Sequence, residues 1–461
     1  MNSRSYTILA AIYVAACIVL GGASAAGIVA NALLQLGAIL IGGFSLHRLL
    51  RHGTDSRARM PLLICASIFA LCLLQLVPLP PSVWTLLPGR AEYAADLAEI
   101  KVQAPWLGIS LAPEATLASM LALLPAAAAF LAVLNLDEQN RRWVAVAIAA
   151  AAIVSVALSI IQVSTGAKSP LYLYEITNRG SAVGFFANRN HLTTLLLATI
   201  PLVEGIRTSG KPSTSISPPK PGIRIATYAT IFFLVVGIVA TGSRAGLAIL
   251  FPTTLFTLAL HRRLKTGMIS NPIVWGAVLL SGLALAAVLL GPQGERIAAK
   301  TNNLNEDVRF YAAEPTFIAA IKHLPFGSGQ GTFDSVYRDQ AADDNLQPNF
   351  VNHAHDDYLE TLLTAGIPGA LILLFFLIWY GRAIDATWRQ RPKLPGSIPR
   401  AATIVIAIIL LHSALDYPLR TAAISVVFAV ACAMLVPPSA ALQRRNHPSG
   451  NRAPARMVTI E

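Results

Sequence analysis

Asn352-His353-Ala354-His355-Asp356-Asp357-Tyr358 places two histidines one residue apart, directly before an apolar run and among carboxylates. An imidazole titrates near neutrality and can take a proton from a hydroxyl as a general base, with a neighbouring carboxylate orienting it. The other chemistry open to this cluster is a metal site of His353, His355 and Asp356 or Asp357, although no further ligand spacing supports it. A second cluster, Asn188-Arg189-Asn190-His191, opens another apolar run. There the backbone N–H groups and positive dipole end of a helix N-terminus would join the guanidinium of Arg189 in binding phosphate oxygens. The competing reading is an interfacial arginine reaching to lipid headgroups. Arg244, after Ser243, carries the same two readings. Two arginines on one face can hold a diphosphate from both sides, with a planar fork that lysine lacks. A fourth cluster is Asp416-Tyr417-Pro418-Leu419-Arg420. Gly327-Ser328-Gly329-Gln330-Gly331 lacks both the third glycine of GxGxxG and the Gly-Lys-Ser/Thr of a Walker motif, so it reads as a tight turn after Leu324-Pro325-Phe326.

The elements that must position these groups are membrane helices. Of 461 residues, 55% are apolar and 13% charged, and the mean hydropathy of +0.59 excludes a soluble protein. Runs long enough to span lie near 7–22, 24–46, 61–78, 115–136, 143–164, 189–206, 223–241, 245–261, 272–291, 361–381, 401–415 and 421–437, about twelve helices. The first run, ending before Ala23-Ser24-Ala25, resembles a signal peptide, but the apolar stretch that follows at once favours an uncleaved helix. Cys17, Cys65, Cys72 and Cys432 all fall inside apolar runs and offer neither a disulfide framework nor metal-ligand spacing.

The net charge of +12 is mostly an orientation signal. With the N-terminus in the cytoplasm, alternate loops carry lysine and arginine 23 to 11 in favour of the inner set, which also places the C-terminus inside. All four polar clusters then share the outer face. The long connection from Pro292 to Leu359 falls on that face with 10 acidic against 5 basic residues. Within it, Val308 to His323 predicts an amphipathic helix with Phe310, Phe317, Ile318 and Ile321 on its apolar side. Lys211 to Gly222 is Ser/Pro-rich and reads as a cytoplasmic linker.

Ionisable groups are scarce at mid-depth: Glu204 and His261 lie near inner ends, and only amides such as Asn31, Gln35, Gln75 and Gln162 lie deeper. Ion-coupled transport generally needs carboxylates or broken helices at the midplane. A polysaccharide or lipid-linked-sugar transporter is therefore the alternative reading. Outside the cell nucleotides are scarce, so a reaction there draws its driving force from its substrate. A sugar on a lipid diphosphate fits, because the diphosphate is a good leaving group whose developing charge arginines can stabilise.

At these residues the chain resembles the O-antigen ligase and O-antigen polymerase family of bacterial inner-membrane glycosyltransferases. The matching pieces are Gly184 to His191, Thr241-Gly242-Ser243-Arg244-Ala245-Gly246, Arg309 ahead of Pro325 to Phe333, His353 to Glu360 with Gly366-Ile367-Pro368-Gly369, and His412-Ser413 with Asp416 to Arg420. The resemblance implies an all-α, GT-C-like polytopic fold. It divides the chain into N-terminal helices 1–183, a core 184–420 that includes the periplasmic loop 292–359, and a last helix with a basic cytoplasmic tail 421–461. It further implies transfer of an undecaprenyl-diphosphate-linked glycan to an acceptor hydroxyl of a glycan or lipid A core, at the periplasmic face of the inner membrane. No metal, cofactor or nucleic acid is implied; the partners are donor, acceptor and membrane lipids. Carried over, His355 is the catalytic histidine and Arg189 and Arg244 are the diphosphate-binding arginines. Asn188, Asn190, Arg309, His353, Asp356, Tyr358, Asp416 and Arg420 are the substrate-binding set. Ligases and polymerases share these motifs. The family usually has Asn after the histidine, whereas this chain has Asp356, whose carboxylate is expected to favour the charged imidazolium.

Overall fold

The protein is an all-α polytopic membrane protein. In the computed structural model, residues 2–25, 27–209, 221–258, 260, 308–340, 351–389 and 398–439 are described. The helices are α1 (Ser3–Leu20), α2 (Val29–His52), α3 (Arg59–Leu76), α4 (Pro81–Trp84), α5 (Ala91–Glu99), α6 (Pro113–Ala122), α7 (Leu124–Leu134), α8 (Glu138–Thr165) and α9 (Arg189–Thr208). They continue with α10 (Pro221–Thr241), α11 (Arg244–Leu258), α12 (Val308–Lys322), α13 (Phe333–Gln340), α14 (Asp357–Arg389), α15 (Ile398–Ser413) and α16 (Ala422–Leu435). Among the described residues the only extended pairing is a bridge between Leu79 and Leu107.

Each apolar run that falls on described residues is helical; the run at 272–291 lies outside them. Among the described residues, seven segments are long and apolar enough to cross a membrane: α1, α2, Ser56–Leu76, α6 with α7, α8, α10 and α14. α11, α15 and α16 are shorter apolar helices. Local signals set the ends. Asp137 caps α8 by accepting a hydrogen bond from the Asn140 backbone N–H at 2.8 Å, and Gly166 closes it at φ +83°. The run 115–136 forms two helices meeting at Leu123, where Pro125 lacks the N–H that would continue the ladder.

α9 is the central helix. Every residue from Asn190 to Gly205 is buried, and α8, α10, α11 and α15 pack around it. A helix enclosed by protein need not be uniformly apolar. It carries Thr193, Thr194 and Thr199 at full burial, whose hydroxyls bond carbonyls one turn back or neighbouring side chains. At its C-terminal end Glu204 and Arg207 form an ion pair.

The deep amides satisfy backbone. Gln162 bonds both the N–H and the C=O of Gly184, at 2.8 and 2.9 Å. Gln75 donates to Thr364 C=O at 2.8 Å and accepts from the Gln330 N–H at 2.9 Å. The second pair matters because α14 is broken at Gly366, whose φ of +57° and ψ of −148° leave the helical region. The break frees the carbonyls of Leu363 and Thr364, and the turn after Pro325 takes them up through Ser328 N–H (2.9 Å) and Gly329 N–H (3.0 Å). A Cβ at Gly327 would lie 2.7 Å from the backbone of Thr364 and Gly366, so only glycine permits this approach. The 327–331 segment is thus a packed turn.

The amphipathic helix exists as α12, but with a different buried face. Ala312, Thr316, Ala319 and Ala320 are enclosed, packing with Phe333, Val336 and Tyr337 of α13 and with Val351, Ala354 and Leu363. Phe317, Ile318 and Ile321 point outward, each about half exposed; the Phe310 side chain lies outside the described residues. Small residues let α12 approach α14 closely, and this outweighs the larger apolar area of the opposite face.

Candidate functional site

α9, α11 and α14 begin at the same end of the bundle. The starts of α9 and α11 are neighbours. Thr193, one turn below Arg189, hydrogen-bonds Thr241 at 2.8 Å, and a Cβ at Gly246 would fall 2.0 Å from the Thr193 methyl. The Asn188 side chain caps α9 through Asn190 N–H at 2.9 Å, while Asn178 accepts from Arg189 N–H at 3.0 Å. Ser243 caps α11 through Gly246 N–H at 3.1 Å. Two helix N-termini, with partly buried Arg189 and Arg244 in their first turns, therefore stand side by side.

Against them sits the turn before α14. Among the described residues, His355 is one of two non-glycine residues at positive φ, +56°, a conformation that costs roughly 1–3 kcal/mol and persists only where neighbours hold it. They do so here. His355 Nδ1 lies 3.1 Å from Asp416 Oδ1. Asp416 is fully buried, whereas the His355 side chain is 19% exposed. Asp416 also accepts from Tyr417 N–H at 2.9 Å and from the amides of Asn188 (3.4 Å) and Asn190. A carboxylate on Nδ1 fixes the proton there and leaves Nε2 as the basic nitrogen.

One residue earlier, His353 Nδ1 lies 3.0 Å from Glu360 Oε1. Glu360 also accepts from Ala354 N–H at 3.0 Å and lies 3.6 Å from Arg420 Nη1. Arg420 Nε donates to Asp357 at 3.1 Å, and Ser413 donates to the other Asp357 oxygen at 2.9 Å. Burial opposes the charge on Arg420, but Glu360 and Asp357 hold its guanidinium above the ordinary pKa. The Tyr417 ring lies within this group, with centroids 5.0 Å from His191, 4.5 Å from His353 and 4.7 Å from His355. Burial, then the Asp416 carboxylate, push its phenol above the ordinary range.

The site residues expected from sequence thus fall into different positions. Asn188, Asn190, His353, His355, Asp416 and Arg420 form one contiguous network. Asp356 is not the carboxylate on His355. Its Oδ1 accepts from Tyr358 N–H (2.8 Å) and Leu359 N–H (3.0 Å), capping α14. The Tyr358 hydroxyl donates to Leu410 C=O at 2.8 Å. Arg309 lies in the first turn of α12, with its side chain outside the described residues. Sequence reading passed over Glu360 and His191 as separate actors. Glu360 could have been found as a carboxylate one helical turn below Asp356 and Asp357, on the face that turns back to the histidines. Among the described residues no three His, Cys, Asp or Glu side chains group so as to hold a metal ion.

Residues 229–374 match the family model for O-antigen ligase. The match supports the O-antigen ligase/polymerase family and an O-antigen ligase/polymerase-type membrane glycosyltransferase. It spans Arg244, His353 and His355, while Arg189 and Asp416 lie on either side of it. A comparison with curated proteins finds no match.

Proposed function

We propose that this member of the O-antigen ligase/polymerase family transfers a glycan from an undecaprenyl-diphosphate carrier to an acceptor hydroxyl at the periplasmic face of the inner membrane. The observation that carries the reading is the 3.1 Å contact of solvent-reachable His355 with buried Asp416, at the end of the bundle where Arg189 and Arg244 open adjacent helices. His355 Nε2 takes the acceptor proton as the hydroxyl oxygen bonds to the anomeric carbon, and Asp416 stabilises the imidazolium so formed. The bond from that carbon to the diphosphate oxygen breaks, and the diphosphate leaves with the electron pair. Arg189, Arg244 and the two helix N-termini stabilise the charge on the leaving group. The excess of basic residues on the alternate loops supports the orientation.

The proposed route is metal-independent; Asp416, Glu360 and Asp357 each accept hydrogen bonds from protein donors. Purified protein, a lipid-linked oligosaccharide and an acceptor glycan test this directly. Transfer should proceed in EDTA; activity lost to the chelator and restored by a divalent ion would sink the metal-independent route. Deletion of the gene with analysis of surface glycans sharpens the acceptor. Loss of long chains marks a polymerase, and bare core with intact lipid-linked polymer marks a ligase.

A further inference from the structure

The outward face of α12 is apolar, and its polarity changes along its length. Phe317, Ile318 and Ile321 are each about half exposed, and Phe326 in the turn that follows is 42% exposed. Glu314, one turn nearer the α12 N-terminus on the same face, presents an exposed carboxylate. The other end of the stripe joins the membrane-spanning helices. Ile367 N–H donates to Pro325 C=O at 2.9 Å, which brings Phe326 next to Ile367, the first exposed apolar residue of α14. The same turn is held by Gln75 at the end of α3 and by Thr116 near the start of α6, whose hydroxyl donates to Gln330 C=O at 2.7 Å.

Length decides how far the bilayer reaches. From Ile367 to Gly381, α14 has 15 residues and no charge before Arg382. They rise about 22 Å, which is about 8 Å short of a typical hydrocarbon core. The first part of α14 cannot supply the rest: no residue from Asp357 to Ala365 is exposed, and α12 packs over it. α12 can. From His323, at the turn that fills the break, to Phe317 is about 9 Å of helix, and the next outward residue is Glu314. Irregular backbone at membrane depth must be satisfied by protein, and the break at Gly366 meets that condition through the N–H groups of Ser328 and Gly329. Trp106, 65% exposed, stands next to the Leu79–Leu107 bridge just past α3, as tryptophans do at a membrane surface.

We propose that the outward face of α12, from Phe317 to Phe326, is a membrane-docking surface immersed in the acyl chains of the leaflet on the side of the candidate site, with Glu314 among the headgroups. The break in α14 then lies about 8 Å inside the hydrocarbon, and α12 sets the height of the neighbouring His353–His355 turn against the bilayer. The inference does not depend on the transferase reading.

The full chain in nanodiscs of phosphatidylethanolamine and phosphatidylglycerol tests it. Nitroxide labels on Ile318→Cys, Ile321→Cys and Phe326→Cys, with the signal of the labelled parent subtracted, should meet oxygen severalfold more often than a water-soluble nickel chelate. A label on Glu314→Cys should show the reverse. Nickel chelate that reaches positions 318 and 321 as freely as 314 overturns the proposal. A second measurement identifies what covers the face: benzoylphenylalanine in place of Phe317, one aromatic for another, is photocrosslinked in intact cells. A phospholipid adduct is expected. Adducts only to protein, this chain's own residues included, or only to a polyisoprenyl chain put another occupant on the face and overturn the proposal.

Discussion

His353 and His355 stand one residue apart, and each has a buried carboxylate on Nδ1, at 3.0 and 3.1 Å. What surrounds the carboxylates separates them. Glu360, on His353, is shared with the Arg420 guanidinium, which also holds Asp357. Its charge is already largely balanced, and the pair serves to tie the turn to α14. Asp416, on His355, accepts from the amides of Asn188 and Asn190 at the start of α9 and from the Tyr417 N–H. It holds the imidazole that stands beside the α9 N-terminus, where a carboxylate can stabilise an imidazolium. The same pairing is a structural strut in one case and the setting of a base in the other, and the residue on the far side of the carboxylate decides which.

The sharpest way to break this comparison is to remove each imidazole. His355→Ala should lower transfer by about 10²–10⁴-fold, the range for a positioned general base, while binding of lipid-linked donor survives on the arginines. His353→Ala should lose activity only modestly and show its effect in thermal unfolding. Equal losses of kcat in the two variants would erase the distinction.

Asp416→Asn tests the charge alone. The shape stays, an acceptor oxygen remains for the neighbouring amides, and transfer should fall roughly 100-fold as the imidazolium loses its counter-charge. Glu360→Gln, measured beside it, should move the melting temperature more than kcat.

Arg189→Lys and Arg244→Lys come next, with an expected loss of about tenfold each, because lysine retains the charge but not the two-pronged geometry. The protein should still insert. Near-normal turnover in both variants would favour contact with lipid headgroups and remove the diphosphate assignment.

The parts of this molecule legible in the sequence are those set by composition and local chemistry. Apolar runs marked the helices because a bilayer demands about 20 apolar residues in series. Asn188-Arg189-Asn190-His191 was legible as a helix opening, and in the structure the Asn188 side chain caps that helix. The turn at Gly327 was readable from its glycines. Illegible were features set by contacts distant in the chain. The partner of His355 lies 61 residues away, and no spacing rule points to it. The buried face of α12 runs through Ala312, Ala319 and Ala320, because close approach to α14 selects small residues where a hydrophobicity count selects Phe317 and Ile321. The break at Gly366 is intelligible only beside the turn that fills its freed carbonyls.

Asp356 supplies the smallest expected effect. Adjacency in sequence suggests that its carboxylate tunes His355, which would make Asp356→Asn lower the pH at which activity falls on acidification. The geometry assigns it another task. Oδ1 accepts the N–H groups of Tyr358 and Leu359 at the start of α14, and an asparagine side-chain oxygen does the same about equally well. Asp356→Asn should therefore retain its melting temperature and give a pH–rate profile that superimposes on the parent's. Asp356→Ala should lose the cap at a cost of about 1 kcal/mol, read as a lower melting temperature with kcat changed less than in Asp416→Asn. A profile displaced to lower pH in the asparagine variant would return Asp356 to the electrostatics of the base and weaken the case that Asp416 alone sets it.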